Sequence, residues 1–340
     1  MSAQTAPAVE STGAGLLGVP GYVLALDIGG TKLAAGVVRP DGRMSSFQVV
    51  PSRTALGPDV VLEDLFALGR QAVAESGVPW AEIEAVGIGC GGPLDAARGV
   101  LIAPPHLPGW HDIPVAGLAQ AAFERPALLE NDATAAAAAE HRYGAGVGTR
   151  NMVYLTISTG VGGGAVIDGR LYRGSAGNGG EFGHVTVDCN GRLCRGCGRR
   201  GCLEAYVSGT SIAERALAGI EASSSLAKLA EPTAADVVAA AASGDAYARR
   251  VWTETLDALA CGLTSIVNLF EPDLVVLGGG VTRAGAALLD PVRASVRKQA
   301  MAPAGRTVDI VAAALGERVG VVGAAAIVFA AGDGERVQGV

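Results

Sequence analysis

Apolar residues fall into short runs that alternate with longer stretches of helical spacing. Tyr22–Val38 reads as two apolar runs flanking a Gly-Gly-Thr turn, which predicts a β-hairpin with a polar tip. Residues 60–76 repeat apolar positions at three and four, the period of an amphipathic helix. Short strands are predicted at Ile83–Gly89 and Ala127–Glu130, the second stopping at Asn131-Asp132 before an Ala-rich helix from Ala133 to about Tyr143. A strand at Met152–Ile157 enters the glycine-rich Ser158–Gly164, with strand resuming at Ala165–Ile167. Residues 208–268 are helical in pattern, with a polar break near Glu221–Ser225. A strand at Leu274–Leu277 ends in three glycines, and a helix, a strand at Val308–Ala312 and a final helix at Val321–Ala331 follow. Strands alternating with helices predict an α/β fold. Two strand-plus-glycine-turn units, near residues 27 and 157, suggest two related halves.

Composition narrows this picture. The chain has 340 residues, enough for one large or two ordinary domains. Its apolar content is largely Ala and Val, and its 50 glycines suit many strand-to-helix turns. A net charge of −7, with no block of Lys or Arg, argues against nucleic acid and anionic membrane as partners. No run approaches the roughly 18–20 apolar residues of a membrane span. The first 21 residues lack the basic start and apolar core of a signal peptide and read as a flexible leader. A cytoplasmic location follows, and the clustered cysteines suit a reducing compartment better than a disulfide scaffold.

Four of the six cysteines lie between Glu181 and Glu204: Cys189, Cys194, Cys197 and Cys202. With His184 they offer one nitrogen and three thiolates, a common closed set for structural zinc. Cys189 is a spare thiol that could replace Cys194. The carboxylates that begin and end this stretch are candidates for polar groups the metal knot holds in place.

Three glycine turns could let backbone N–H groups approach phosphate: Asp27-x-Gly29-Gly30-Thr31-Lys32, Ser158-Thr159-Gly160-x-Gly162-Gly163-Gly164 and Gly278-Gly279-Gly280. Each follows an apolar strand. Asp27 could orient a magnesium ion or its waters, or merely cap the hairpin; Lys32 could meet phosphate or solvent. Residues 87–92 match G-x-G-x-x-G by letter, but Pro93 and not a helix follows, so the dinucleotide context is missing. No P-loop sequence occurs. Asp132 sits where a strand ends and a helix begins. Position alone favours a capping role, yet such strand ends form ligand crevices, and a helix N-terminus keeps a base ionised.

Together these residues resemble the ROK family of sugar kinases, within the actin–hexokinase ATPase fold. The matches are DIGGTK at 27–32, GIGCGGPLD at 87–95, LPGW at 107–110, END at 130–132, STGVGGG at 158–164, GEFGH at 180–184, CGRRGCLE at 197–204 and LGGG at 277–280. The resemblance implies a two-domain actin-like (ribonuclease H-like) α/β fold with an interdomain cleft. The leader would occupy residues 1–21. Residues 22–132 and 321–340 would form the small domain, and residues 133–320 the large one, with the zinc motif at 184–202. It implies ATP-dependent phosphorylation of a hexose, foremost glucose to glucose 6-phosphate, with Asp132 as general base. Asn131, Glu181, His184 and Glu204 would bind sugar hydroxyls, with the Gly91-Gly92 backbone nearby. Asp27, Gly29, Gly30, Thr31 and Lys32, with Thr159, Gly160 and Gly162, would face ATP and Mg2+, and Gly279 and Gly280 the adenosine. His184, Cys194, Cys197 and Cys202 would hold zinc. A homodimer or homotetramer is implied.

Fructose, mannose, allose, N-acetylmannosamine or N-acetylglucosamine are alternative acceptors, and polyphosphate an alternative donor. Many ROK relatives are transcriptional repressors instead, but only the short leader, without Lys or Arg, precedes Tyr22 here. The Cys194–Cys197 spacer is one residue longer than the family's usual C-x-C, and His106 stands where Asn is frequent. His106, His111 and His141 otherwise read as surface or loop residues, Cys90 and Cys261 as buried small hydrophobes, and Trp110 as a packing anchor.

Overall fold

A computed structural model describes residues 21–333; all but the last residue of the expected leader, and the stretch beyond 333, lie outside the described residues. The chain divides into two compact units, one reaching Glu130 and taking back the C-terminal stretch from Ile327, the other spanning Asn131–Ala326.

The first unit is built on β1 (Tyr22–Ile28), β2 (Lys32–Val38), β3 (Met44–Pro51), α1 (Pro58–Ser76), β4 (Ile83–Cys90), β5 (Leu94–Asp95), β6 (Val100–Leu101), α2 (Val115–Phe123) and β7 (Ala127–Asn131). Its main sheet has the order β3-β2-β1-β4-β7, and β5 and β6 form a separate two-stranded ribbon. β1 pairs antiparallel with β2 and parallel with β4, setting Asp27 opposite Ala34 and Gly89. The apolar stripe of α1, with Val61, Leu65, Leu68 and Ala72 buried, packs with Leu24, Leu26 and Ile28 of β1. Trp110 and Cys90 are buried in this core as expected.

The second unit contains α3 (Asp132–Tyr143), β8 (Met152–Ile157), β9 (Val161–Ile167), β10 (Arg170–Tyr172), α4 (Glu204–Val207), α5 (Gly209–Ala218), α6 (Ala234–Ala242), α7 (Ala246–Phe270), β11 (Leu274–Gly278), α8 (Ala286–Gln299), α9 (Ala304–Thr307) and β12 (Asp309–Ala312). The chain ends its described part in α10 (Val319–Gly332). The sheet order is β10-β9-β8-β11-β12, and β8 pairs antiparallel with β9 and parallel with β11. The second sheet thus repeats the first, as the paired glycine turns suggested, with residues 29–31 and 158–160 at equivalent hairpin tips.

Several expectations change. The second glycine turn is shorter than its letters: β9 begins at Val161, so Gly162, Gly163 and Gly164 are strand residues paired with Thr156, Leu155 and Tyr154. A Cβ at Gly162 or Gly164 would come within 2.8 or 2.7 Å of the Ala133 or Ala137 Cβ. An Ala-rich helix and a Gly-rich strand approach closely because neither carries bulk, and the four-residue helical step matches the two-residue strand step. The helical run over 208–268 is broken by a long connection at 219–233, and α7 extends to Phe270. Cys261 is exposed, not buried, because it lies on the face of α7 turned from the core. His141 lies on α3 and not in a loop, its Nε2 2.8 Å from the Thr149 carbonyl. β3 was missed because polar Ser45, Ser46 and Gln48 interrupt its apolar residues and none of its positions is fully buried. Among the described residues no helix is long and apolar enough to cross a membrane.

Candidate active site

Asn131 and Asp132 divide the labour at the N-terminus of α3. Asn131 is the N-cap, its Oδ1 accepting the N–H groups of Ala133 and Thr134 at 3.0 and 3.1 Å. This corrects the capping reading of Asp132, which is the first helical residue and solvent-exposed. Its Oδ1 lies 2.8 Å from the Ala133 N. Asp132 therefore presents an exposed carboxylate at the positive end of a helix whose cap is supplied by its neighbour.

Glu181, His184 and Glu204 come from the Cys-rich stretch of the same unit. A tight 3-10 turn at Phe182–His184 follows Glu181, and Phe182 is buried against Phe270, with ring centroids 5.4 Å apart. This anchor leaves Glu181 and His184 on one side, with Glu181 Oε2 3.9 Å from His184 Nε2. Burial pushes the Glu181 carboxyl up; His184 opposes this, and the charges of Asp132 and Glu204 add to it. Three carboxylates thus share one neighbourhood, a crowding of acceptors typical of functional sites.

The other face of His184 meets the thiols. Its Nδ1 lies 3.7 Å from Cys194 Sγ, and Cys197 and Cys202 Sγ are 3.5 Å apart. The ligand atoms of His184, Cys194, Cys197 and Cys202 all lie within 4.8 Å of one another, and Cys189 is exposed outside this group. One imidazole nitrogen and three thiol sulfurs at such spacing fit a tetrahedral zinc ion. Burial pushes the Cys194 thiol up to about 12 and raises Cys202 as well. Burial acts the same way on Cys197, but the Arg199 backbone N–H and guanidinium outweigh it and hold that thiol low. A bound dication would reverse the balance for Cys194 and Cys202 and act with Arg199 on Cys197. Glycine within the two-residue spacer has a local reason: a Cβ at Gly196 would sit 2.6 Å from Glu204 Oε1.

Glu204, the first residue of α4, reaches the second glycine turn. Its Oε2 accepts the Val161 N–H at 2.9 Å. Beside that turn opens a cavity of about 660 Å³ lined by Ser158, Thr159 and Gly280 with Thr210, Glu231 and Arg283. Gly279 adopts a φ of +88°, and a Cβ there would lie 2.4 Å from the Ile157 carbonyl oxygen. That backbone bend turns Gly280 to the cavity, with nothing within 4 Å of its missing Cβ. A cavity of this size suits a nucleoside or similar small molecule. Thr210 and Glu231 were missed from sequence because each lies far along the chain from any glycine turn, and Arg283 because an arginine three residues past Gly280 belongs to no motif.

In the first unit, the hairpin tip closes by a 3.0 Å bond from Gly29 N to Lys32 O, leaving Thr31 and Lys32 exposed and Asp27 half-buried on β1. His106 packs against both glycine segments of this unit: its carbonyl oxygen would be 3.0 Å from a Cβ at Gly30, and its ring 2.6 Å from one at Gly91. It is half-buried, more enclosed than a surface histidine, because these two glycines leave it room. Gly92, next to Gly91 in sequence, is likewise half-buried.

The chain matches the model of the ROK family over residues 23–331. It is 35% identical over 315 residues to a glucokinase of Streptomyces coelicolor, covering 90% of this chain and 96% of that one. A ROK hexokinase from Thermus thermophilus superposes with a TM-score of 0.77 at 38% identity, covering 90% and 97% of the two chains. A ROK family glucokinase from Streptomyces griseus, solved in complex with glucose and AMPPNP, gives a TM-score of 0.74 at 36% identity, covering 90% and 99%.

Proposed function

The chain belongs to the ROK family of the actin-like ATPase fold, and we propose that it transfers the terminal phosphoryl group of ATP to glucose, giving glucose 6-phosphate. The observation that carries this reading is the placement of Asp132, Glu181, His184 and Glu204 together, with Glu204 bonded to Val161 just past the turn whose Ser158 and Thr159 line the 660 Å³ cavity. Such a cluster supplies many acceptors for a neutral polyol, next to a space sized for a nucleoside.

In this mechanism Asp132 takes the proton from the acceptor hydroxyl as that oxygen attacks phosphorus. Its exposed position at the helix N-terminus keeps it ionised and reachable. Asn131, Glu181, His184, Glu204 and the Gly91-Gly92 backbone hold the other hydroxyls. That fixes one oxygen in line, and positioning contributes most of the catalysis of phosphoryl transfer. The amides of Gly30, Thr31, Thr159 and Gly160, with Lys32, would take the phosphates, Gly29 and Gly162 shaping the two turns through their own backbone pairing, and Gly279, Gly280 and the cavity the adenosine. Asp27 would hold Mg2+, which neutralises charge on the transferring phosphoryl group. Zinc held by His184, Cys194, Cys197 and Cys202 would be structural, fixing the His184 ring through Nδ1 so that Nε2 faces the sugar. In this reading the enzyme works in the cytoplasm as a homodimer or homotetramer.

A coupled ADP-release assay over glucose, fructose, mannose, allose and the N-acetylated amino sugars tests the proposal. Glucose should give the highest kcat/KM with ATP. A higher value for an amino sugar would move the substrate assignment, and no turnover with any sugar, from ATP or polyphosphate, would overturn the kinase reading.

A further inference from the structure

Glu204 touches two things at once. Its Oε2 accepts the Val161 N–H at 2.9 Å, at the start of β9 where the 158–160 turn ends. Its Oε1 lies 3.3 Å from Cys194 Sγ, one of the four clustered ligand atoms. The carboxylate is wedged between two glycines that leave it no slack. A Cβ at Gly160 would come within 2.9 Å of Oε2, and one at Gly196 within 2.6 Å of Oε1. Gly196 has its φ outside the left-handed region, so backbone conformation does not call for glycine there. The close approach of Glu204 does. One of the two spacer residues of the knot is therefore the one against which this carboxylate rests.

We propose that Glu204 is a positioning residue that joins the metal knot to the nucleotide turn, so that metal and nucleotide binding are thermodynamically linked. Metal in the knot takes the Cys194 proton, so that thiol no longer donates to Glu204. What then backs the carboxylate is the metal-fixed Cys194–Cys197 loop, with Gly196 against Oε1, and the carboxylate fixes the Val161 amide and the turn before it. Without metal that loop is not fixed, and the turn must be ordered at the nucleotide's expense. Linkage is reciprocal: whatever factor the metal contributes to nucleotide affinity, the nucleotide contributes to metal affinity. This inference rests on the kinase reading only in assigning the turn at 158–160 to the nucleotide.

The test is zinc retention by the folded, zinc-loaded protein in competition with a chromogenic chelator, with and without saturating ADP. In the unsubstituted protein ADP should tighten zinc by about 5-fold or more, the lower end of ordinary coupling. In Glu204→Ala the effect should vanish, with both ligands still bound. Gly196→Ala, which presses on Oε1 without removing any ligand, should reduce the coupling and raise the Kd for ADP while Asp132 stays intact. Calorimetry with ADP alone separates the two claims. If ADP does not bind the unsubstituted protein, the kinase reading fails. If ADP binds but zinc retention is unchanged by it, or if the coupling survives in Glu204→Ala, the linkage is refuted. Should Glu204→Ala not fold, Gly196→Ala decides: coupling equal to that of the unsubstituted protein would overturn the proposal.

Discussion

Replacing Asp132 by Asn removes a charge and changes almost nothing else, which makes it the sharpest test of the proposed mechanism. The N-cap of α3 is Asn131, so the cap survives the substitution. The 2.8 Å contact of Oδ1 with Ala133 N can be kept by the amide oxygen of the new side chain. What the fold loses is one negative charge at a helix N-terminus, worth about 0.3–1 kcal/mol at an exposed position. Catalysis loses far more if Asp132 is the base. General base catalysis contributes about 10²–10⁴ in rate, which is about 2.7–5.5 kcal/mol of transition-state stabilisation at about 1.4 kcal/mol per tenfold. The loss should fall on kcat, because the remaining sugar partners are untouched and ground-state binding persists. Three measurements on the same preparation are needed: kcat by coupled ADP release, glucose Kd by calorimetry, and stability by urea denaturation. The expected result is kcat down at least about a hundredfold, Kd within about tenfold, and stability within about 1 kcal/mol. A kcat within tenfold of the unsubstituted enzyme would refute the base assignment. So would a fall in kcat/KM carried wholly by lost glucose binding.

Two glycine-to-alanine substitutions should separate packing from ligand roles. Gly163→Ala would drive a Cβ to 2.5 Å from Phe182 Cδ2 and should cost about 1–3 kcal/mol in a urea melt. Gly280→Ala meets nothing within 4 Å; it should leave stability within about 0.5 kcal/mol but raise the KM for ATP. Asp245, the N-cap of α7, is held well below the usual Asp range by the Ala248 N–H and by Ser225 and Ser224. Its folded value is depressed, so its contribution is present above the ordinary value of 3.8 and is lost as pH falls through the folded one. Asp245→Ala should therefore cost about 0.5–2 kcal/mol at pH 7, shrinking as the pH is lowered below the ordinary value. A cost that does not change with pH would refute the charge argument. Elemental analysis should find about one zinc per chain, the content of a single four-ligand site, and Cys194→Ser should lose metal and lower the melting temperature. A metal-free preparation with full stability would show the knot does not need it.

Local chemistry wrote much of this protein into its sequence. Apolar runs located β1, β2, β4 and β8, which are buried on both faces, and helical spacing located α1, which buries one stripe; the short run of β7 and the Ala-rich run of α3 were legible from composition. The His-Cys spacing singled out the knot because thiols and imidazole at short separations have few other uses. The resemblance to ROK kinases rested on motifs whose order survives whatever the fold does. Tertiary structure decided questions that turn on what lies opposite a residue. The letters of Ser158–Gly164 could not show that half of that glycine run is strand, its glycines there to admit the alanines of α3. Nor could they show that Asn131, not Asp132, caps α3, since both are good capping residues and only backbone geometry separates them. Exclusion of Cys189 from the metal group, exposure of Cys261, and the cavity residues Thr210, Glu231 and Arg283 were settled by proximity between distant segments. The strut formed by Glu204 belongs there too. Its sequence marks a carboxylate after a cysteine, but that its two oxygens reach a turn more than forty residues back and the Cys194 sulfur ten residues back is a fact of folding alone.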